Sequence, residues 1–237
     1  NVHVVGKDII RFHAVYWPAF LLAADIEPPK RIFAHGWWTN EGKKISKSLG
    51  NVIDPNEIIK EYGLDTLRFF LLREVPFGND GDFSKKSLER RINNDLANDL
   101  GNLVQRVLTI INKNLDGKLN KIKQIKESDK KLYEYPKELL KNIEKNYEKQ
   151  EFHKVLDNIW KLISKANKYV DESAPWKLIK TDRERAGDVL NILVIIIAKI
   201  SIFLSPIMPD TSEIILNKIG LSIKNLSMED IGNDNFL

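Results

Sequence analysis

The chain has 237 residues, of which 43% are hydrophobic and 30% charged, so it can bury a core and is too apolar for a disordered chain. It contains no cysteine, which excludes disulfides and cysteine-ligated zinc and favours a reducing, cytoplasmic location. The formal net charge of +4 permits a nucleic-acid partner without requiring one. The sequence starts without Met and enters an apolar run at once, which is typical of a fragment.

The most apolar stretch, residues 189–203, is interrupted by Asn191, Lys199 and Ser201. It is too short and too polar to span a bilayer, so we expect a buried core helix and no membrane partner.

The first part of the chain predicts a parallel α/β unit. An apolar run at 2–5 predicts a strand that ends at Gly6, and Asp8 is a candidate cap for a following helix that is kinked at Pro18. Residues 31–38 predict a second strand. A strand, a helix and another strand are typical of a parallel sheet, whose ligands bind beyond the carboxyl ends of the strands.

The rest of the chain predicts helices. Asp54 followed by Pro55 predicts a helix start, and a second helix is predicted at 64–73. From Ser84, apolar residues recur every three or four positions, which predicts a long helix that ends near Asp116. Further helices are predicted at 132–150, 151–171, 183–204 and 211–219, forming an antiparallel bundle.

A basic loop at residues 42–51 is the most informative stretch. Lys44 and Lys47 stand three positions apart, interleaved with hydroxyls such as Ser46 and followed by Gly50. After a strand, this pattern suits a polyphosphate, because an ammonium is a mobile point charge that can follow phosphate charge as it develops. On spacing alone, a solvated charged loop is the simpler interpretation.

As a string, KISKSLGN at 44–51 resembles the signature loop KMSKS of class I aminoacyl-tRNA synthetases, with Ile45 in place of the usual Met. Other segments are similar to the methionyl-tRNA synthetase family within that class: GKDI at 6–9, FH at 12–13, WP at 17–18, AHGWW at 34–38 and YVDESAPW at 169–176. The resemblance covers essentially the whole chain. It implies an ATP-dependent ligase that activates methionine as methionyl-adenylate and transfers it to tRNA.

The resemblance also implies the domain organisation. Residues 1–53 would be the C-terminal, α/β part of a Rossmann-like catalytic domain, and residues 54–84 a linking module beside the tRNA stem. Residues 85–237 would be an all-α helix bundle that binds the anticodon.

The family's signature loop closes over ATP, which is used with Mg²⁺. By resemblance, Lys47 holds the phosphates during adenylate formation and Lys44 assists, while Gly6 and Asp8 lie at the ribose and His35 near the base. The implied ATP-binding residues are therefore Gly6, Asp8, His35, Lys44, Ser46 and Lys47. Taken alone, Asp8 is equally well explained as a helix cap.

Ile9, His13 and Trp17 match the family's methionine pocket. Their spacing of four predicts that all three lie on one helical face, and a thioether prefers apolar and aromatic contacts. Without the resemblance, core packing would explain a His or Trp on such a face.

Asn102 and Arg106 match the family's Asn-x-x-x-Arg pair, and Asn98 lies one turn earlier. Asn and Arg are suited to reading base edges, and proteins read RNA sequence in single-stranded loops. Trp176 matches the tryptophan on which an unstacked anticodon base lies. The implied partner is tRNA(Met) with its CAU anticodon, and we expect no DNA partner. Taken alone, a solvated helix face and a lid on the bundle would explain these residues.

The family's other signature, His-x-Gly-His, is absent, since histidine occurs only at 3, 13, 35 and 153. The cysteine-bearing zinc insertion is absent too, so we expect no metal site and no adenylate formation by this chain alone. A related synthetase for leucine, isoleucine, valine or cysteine stays open as an alternative, as does a non-catalytic tRNA-binding module.

Overall fold

In the computed structural model, which describes residues 1–45, 48 and 50–232, the chain begins with a parallel strand pair. β1 (Val2–Gly6) pairs with β2 (Arg31–His35), and the register places Gly6 opposite His35. The connection is helical, which confirms the predicted strand–helix–strand unit. It consists of a 3-10 turn (Lys7–Ile9), a π-helical segment (Phe12–Tyr16) and α1 (Trp17–Ala23).

Pro18 lies in the first turn of α1. It has no N–H to bond to the preceding turn, and the segment just before α1 is π-helical and not regularly α-helical, while the predicted kink stays a prediction. The prediction that Asp8 caps this helix is wrong. Gly6 occupies the cap position of the 3-10 turn, Asp8 lies inside the turn, and no side chain caps it.

The strand predicted at residues 31–38 is in fact two strands in different sheets. β3 (Trp38–Asn40) pairs antiparallel with β4 (Lys43–Lys44) and parallel with β5 (Gly81–Phe83). The predicted strand is interrupted at Gly36, where a Cβ atom would lie 2.1 Å from the backbone oxygen of Asn79. Only glycine permits this close approach of two backbones.

Two short helices, α2 (Pro55–Tyr62) and α3 (Leu64–Arg73), connect the sheets to the helical part. Asp54 caps α2 as predicted, since its Oδ1 accepts from the N–H of Asn56 at 2.8 Å. On α3, Phe69 is buried in the main helical core, whereas the adjacent Phe70 packs with Phe83 beside β5. Helix α3 therefore contributes to both packing units.

A long helical run follows Ser84, whose Oγ accepts from the N–H of Ser87 at 3.1 Å. It comprises α4 (Lys85–Arg91), a π-helical segment (Ile92–Gly101) and α5 (Asn102–Leu115). The run ends near Asp116, as predicted. Asp116 and Gly117 both have positive φ. The π-helical segment was not predicted.

Between residues 118 and 232 the α-helices are α6 (Glu127–Tyr133), α7 (Tyr135–Glu148), α8 (Phe152–Ser173), α9 (Pro175–Thr181), α10 (Arg183–Leu204) and α11 (Pro209–Lys218). The helix predicted at 132–150 is broken, because Pro136 starts a new helix. The short α9 was missed. By length and composition α10 could cross a membrane, but 89% of its apolar window is buried inside the protein, as in a core helix.

A buried ion pair joins α6 to α10. Asp129 is fully buried and accepts from Arg185 Nη1 at 2.8 Å, from the hydroxyl of Tyr169 on α8 at 2.9 Å and from the N–H of Lys126 at 2.8 Å. Burial raises the pKa of Asp129, but the hydrogen bonds, led by that of Arg185, outweigh burial and hold the pKa below its usual 3.8.

We expect Asp129→Ala to lower the free energy of unfolding by about 3–5 kcal/mol, because it leaves Arg185, whose side chain is only 11% exposed, without its partner. Urea denaturation followed by circular dichroism measures this. The matched control is Lys130→Ala, which removes an exposed pair with Glu127 and should leave the midpoint nearly unchanged. Since the folded-state pKa of Asp129 is lowered, its stabilisation is present above pH 3.8 and declines as the pH falls below that value. Equal midpoints for the two variants would contradict this account.

Candidate functional site

Three of the predicted ATP-binding residues meet at the carboxyl ends of β1 and β2. Gly6 and His35 are direct partners in the parallel register. The carboxylate of Asp8 stands beside Gly6, where a Cβ atom would lie 2.5 Å from Asp8 Oδ1 and 3.9 Å from His35 Cε1. The half-buried His35 ring has its Nδ1 2.9 Å from the oxygen of Gly36. Ligands bind at this edge of a parallel sheet, so the cluster is a candidate nucleotide site.

The lysine loop continues from a hairpin formed by β3 and β4. Its turn residues, Glu41 and Gly42, both have positive φ. Lys44 lies exposed on β4, and its carbonyl accepts from Asn51 Nδ2 at 3.0 Å. Asn40 Nδ2 in turn donates to the Asn51 oxygen at 2.9 Å, which ties both ends of the loop together. Ser46 and Lys47, the other predicted phosphate-binding residues of the loop, lie outside the described residues.

Two aspartates that the sequence analysis missed hold this region in place. Asp80 accepts from Lys7 Nζ at 2.6 Å and from the N–H of Trp37 at 2.9 Å. The hydrogen bond from Lys7 lowers the pKa of Asp80. Asp82 accepts from the N–H of Gly42 at 2.7 Å, inside the hairpin turn. No local sequence pattern predicts these contacts, because each joins residues at least 40 positions apart.

The predicted methionine-binding residues are only partly brought together. An open groove of about 440 Å³ is lined by His3, Phe12, His13, Tyr16, Trp17 and Phe20. Ile9 is not among its lining residues, although its oxygen lies 3.0 Å from His13 Nδ1. Ile9 belongs to the 3-10 turn, His13 to the π-helical segment and Trp17 to α1, so the three do not follow one regular helical face.

A second cluster lies on the helix bundle, where α5 meets α9. Arg106 Nη2 donates to Asp171 Oδ1 at 2.6 Å, and its guanidinium carbon is 5.6 Å from the ring centroid of Trp176. This is a cation–π distance, and Trp176 keeps 40% of its surface exposed. Asn102 is exposed one turn before Arg106, and Asn98 is exposed in the π-helical segment.

The position of Trp176 depends on a turn that the sequence analysis missed. Ala174 has φ 42° and ends α8, and the buried Pro175 starts α9. Asp171, the partner of Arg106, also lies in the last turn of α8. The cluster therefore combines residues of three helices.

Within residues 1–45, 48 and 50–232, no group of three or more His, Asp or Glu side chains could hold a metal ion. Neither cluster is therefore assigned a resident metal among the described residues.

Comparison with known proteins divides the chain into two matched parts. Residues 1–108 match the family described as "tRNA synthetases class I (M)". Residues 120–233 match the family described as "Anticodon binding domain of methionyl tRNA ligase". Together the two families account for most of the chain.

Individual relatives agree with this division. The chain is 48% identical to the methionine–tRNA ligase of Rickettsia bellii, covering 97% of this chain and 47% of that enzyme, and 44% identical to that of Brucella suis, covering 98% and 45%. Among solved structures, Mycobacterium tuberculosis methionyl-tRNA synthetase in complex with methionyl-adenylate superimposes with a TM-score of 0.93 at 42% identity, covering 98% of this chain and 46% of that one. The chain thus spans about half the length of these relatives.

Gly36 lies between β2, which carries His35 of the candidate nucleotide site, and β3, which begins the hairpin before the lysine loop. We therefore expect Gly36→Ala to disturb both regions. The new Cβ would meet the backbone of Asn79, and we expect a loss of about 1–3 kcal/mol in the free energy of unfolding. Gly187→Ala is the matched control: its Cβ meets open space within α10, so it should stabilise the protein by up to about 1 kcal/mol. Urea denaturation checks both, and a neutral Gly36→Ala would contradict the close approach.

Proposed function

The chain belongs to the methionyl-tRNA synthetase family, and from this membership we propose that the complete protein is a methionine–tRNA ligase. It joins methionine to ATP, releases pyrophosphate and passes the methionyl group to the terminal adenosine of tRNA(Met). ATP, used with Mg²⁺, is a substrate of this reaction. The protein acts where translation takes place, in the cytoplasm.

Activation of methionine uses the ends of β1 and β2. Gly6 leaves room for the nucleotide, the carboxylate of Asp8 accepts from ribose hydroxyls, and His35 lies near the base. Their convergence in the parallel register supports these roles. Lys44 and Lys47 stabilise negative charge that develops on the phosphates, an effect worth several kcal/mol when the donor is held in place. Ser46 adds a hydroxyl donor to the same loop.

The methionine side chain binds against α1 and the π-helical segment before it. His13 and Trp17 line one groove, and its aromatic walls suit a thioether. Ile9 does not line this groove, and its part in the pocket is to orient the His13 ring, whose Nδ1 lies 3.0 Å from the Ile9 backbone oxygen. The methionyl-adenylate bound by the Mycobacterium tuberculosis relative supports a ligand of this class.

The arrangement of Arg106 and Trp176 is the observation that carries the proposal for this chain. An exposed indole beside a guanidinium offers a stacking platform and a base-edge donor together. The ion pair between Arg106 and Asp171 orients the guanidinium, yet Asp171 is 64% exposed, so a nucleotide base can replace it at small cost. Asn102 and Asn98 extend this surface toward the π-helical segment. Its ligand is the CAU anticodon.

The proposed domains follow this division of labour. Residues 1–53 belong to the catalytic domain, 54–84 link it to the bundle beside the tRNA stem, and 85–237 bind the anticodon. The linking residues contact both sides, through β5 with β3 and through Phe69 with the helical core.

We expect Trp176→Ala to weaken binding of tRNA with a CAU anticodon about 5- to 150-fold, which corresponds to the loss of one stacked base. Trp176→Phe, which keeps an aromatic ring, should retain most of the affinity. Filter binding with the purified chain measures the dissociation constants. A tRNA with an altered anticodon serves as the control and should not respond to the substitution. Equal losses for both tRNAs would contradict anticodon recognition.

We expect this chain alone to show no methionine-dependent exchange between ATP and pyrophosphate, because His-x-Gly-His is missing from its sequence. Clear turnover would contradict that expectation. In the complete protein, methionine should support exchange, and Lys47→Ala should reduce it about 10²- to 10³-fold. Exchange with leucine, isoleucine, valine or cysteine instead would indicate a related synthetase. An unchanged rate for Lys47→Ala would favour a non-catalytic RNA-binding module.

A further inference from the structure

A row of aromatic rings connects the candidate nucleotide site to the helix bundle. Phe77, half-buried in the loop between α3 and β5, lies at its centre. The Phe77 ring centroid is 6.4 Å from that of His35, with the planes 25° apart, and 4.8 Å from that of Phe33, with the planes 9° apart. It also meets Phe152, the first residue of α8, edge to face at 5.2 Å. Phe77 therefore contacts the candidate nucleotide site and the bundle at once.

The bundle end of the aromatic row is anchored at the corner between α7 and α8. The Phe152 ring lies 6.2 Å from that of Tyr147, which packs against the main helical core. Arg31, the first residue of β2, ties the same corner to the sheet. Its Nη1 donates to the backbone oxygen of Glu148 and, at 2.8 Å, to Gln150 Oε1. The strand that carries His35 is therefore fastened to the bundle by polar and aromatic contacts.

The loop that carries Phe77 is held against the strands on the other side of the ring. Gly78 has φ 109°, and a Cβ atom there would lie 3.7 Å from Phe33 Cζ, so the backbone passes close to that ring. Two residues further on, Asp80 accepts from the N–H of Trp37 at 2.9 Å. The loop is thus fixed on both the Phe33 side and the Trp37 side, which holds the Phe77 ring in place.

These contacts leave the His35 ring with one defined edge and one defined plane. His35 Nδ1 lies 2.9 Å from the oxygen of Gly36, and a carbonyl oxygen can only accept. In the neutral ring the hydrogen is therefore on Nδ1, and Nε2 is left as an acceptor. The hydrogen bond sets the edge of the ring, and stacking on Phe77 sets its plane. A side chain ordered in this way loses little freedom when a ligand binds.

We propose that Phe77 is a positioning residue of the nucleotide site: it holds the His35 ring in place for ATP and is itself held by Phe152 of the bundle. The inference rests on the proposed function. It extends that function by making the α7–α8 corner, which lies within the match to the anticodon-binding family, a support of the nucleotide site. The role is one of fixed position and needs no conformational switch.

The first test uses this chain alone and needs no activity. The chain has four histidines, so few imidazole signals appear in NMR spectra, and His35→Gln assigns those of His35. In the wild type we expect the Nδ1–H form of His35. Phe77→Leu should move its ring protons downfield, because a stacked aromatic ring shields them, and should raise the share of the Nε2–H form. Phe152→Leu should have a smaller effect of the same kind.

His13 is the internal control of this experiment. Its Nδ1 also faces a carbonyl oxygen, that of Ile9, at 3.0 Å, but its ring is in contact with the open groove and not with Phe77. The His13 signals should therefore be the same in the wild type and in both variants.

The second test measures exchange between ATP and pyrophosphate in the complete protein. We expect Phe77→Leu to raise KM for ATP about 2- to 12-fold, which corresponds to the loss of one aromatic pair. KM for methionine and kcat should stay near wild type, because the lost contact serves ATP binding alone. Phe77→Tyr keeps the ring and should restore KM for ATP. Leu132→Ala, in the buried core on α6, is the matched control: it destabilises the bundle and should leave KM for ATP unchanged.

Circular dichroism verifies that each variant folds. A folded Phe77→Leu variant with wild-type His35 signals would overturn the proposal and leave Phe77 as a packing residue. Changed His35 signals with an unchanged KM for ATP would also overturn it, as would an equal rise of KM for ATP in Leu132→Ala. Failure of the proposed function is distinguishable: the complete protein would then show no methionine-dependent exchange, while a response of His35 to Phe77→Leu in this chain would still support the positioning of the ring.

Discussion

The need to cover α10 on every side governs the helical part of the chain. Nearly all of this helix is buried, and a helix that is apolar all round is stable in water only when neighbours surround it. In the described part of the chain, the helices that pack against it include α5, α6, α8, α9 and α11 and the 3-10 helix Met228–Gly232. Each fully buried Leu or Ile contributes on the order of 1.5–3 kcal/mol, so this contact surface dominates the energetics. As a consequence, α5 and α9 become neighbours, and Arg106 meets Trp176.

The polar residues of α10 determine how its neighbours are oriented. Burying a charge is costly unless it is paired, so Arg185 selects one position for Asp129 and thereby for α6. Lys199, also buried, lies 5.7 Å from the ring centroid of Tyr133 at the other end of α6. Asp188 accepts from the backbone before α6. The core helix thus fixes the lysine-rich segment that precedes α6, although that segment has little apolar surface of its own.

Local patterns in the sequence predicted most of the helices and strands. The features that were not predicted depend on contacts between residues far apart in the chain. Asp54 and Ser84 cap helices because the cap motif is complete within four residues. The break at Gly36 depends on Asn79, and the ion pair of Arg106 with Asp171 spans 65 positions, so neither leaves a local signal. Ile9 was expected on the face of His13 by α-helical spacing, but the chain there is first 3-10 and then π-helical.

The contacts of Arg106 hold its side chain in place before a ligand binds and still allow a ligand to displace Asp171. A guanidinium held by Asp171 and by the indole of Trp176 has lost much of its rotamer freedom before any ligand arrives, which lowers the entropic cost of binding. If the ion pair were buried, a base could displace Asp171 only by leaving a charge unpaired in the interior. At the exposed surface the displaced carboxylate returns to water at little cost. The same reasoning explains why such a cluster lies at the rim of the bundle, where α10 fixes the helices but leaves the side chains in contact with solvent.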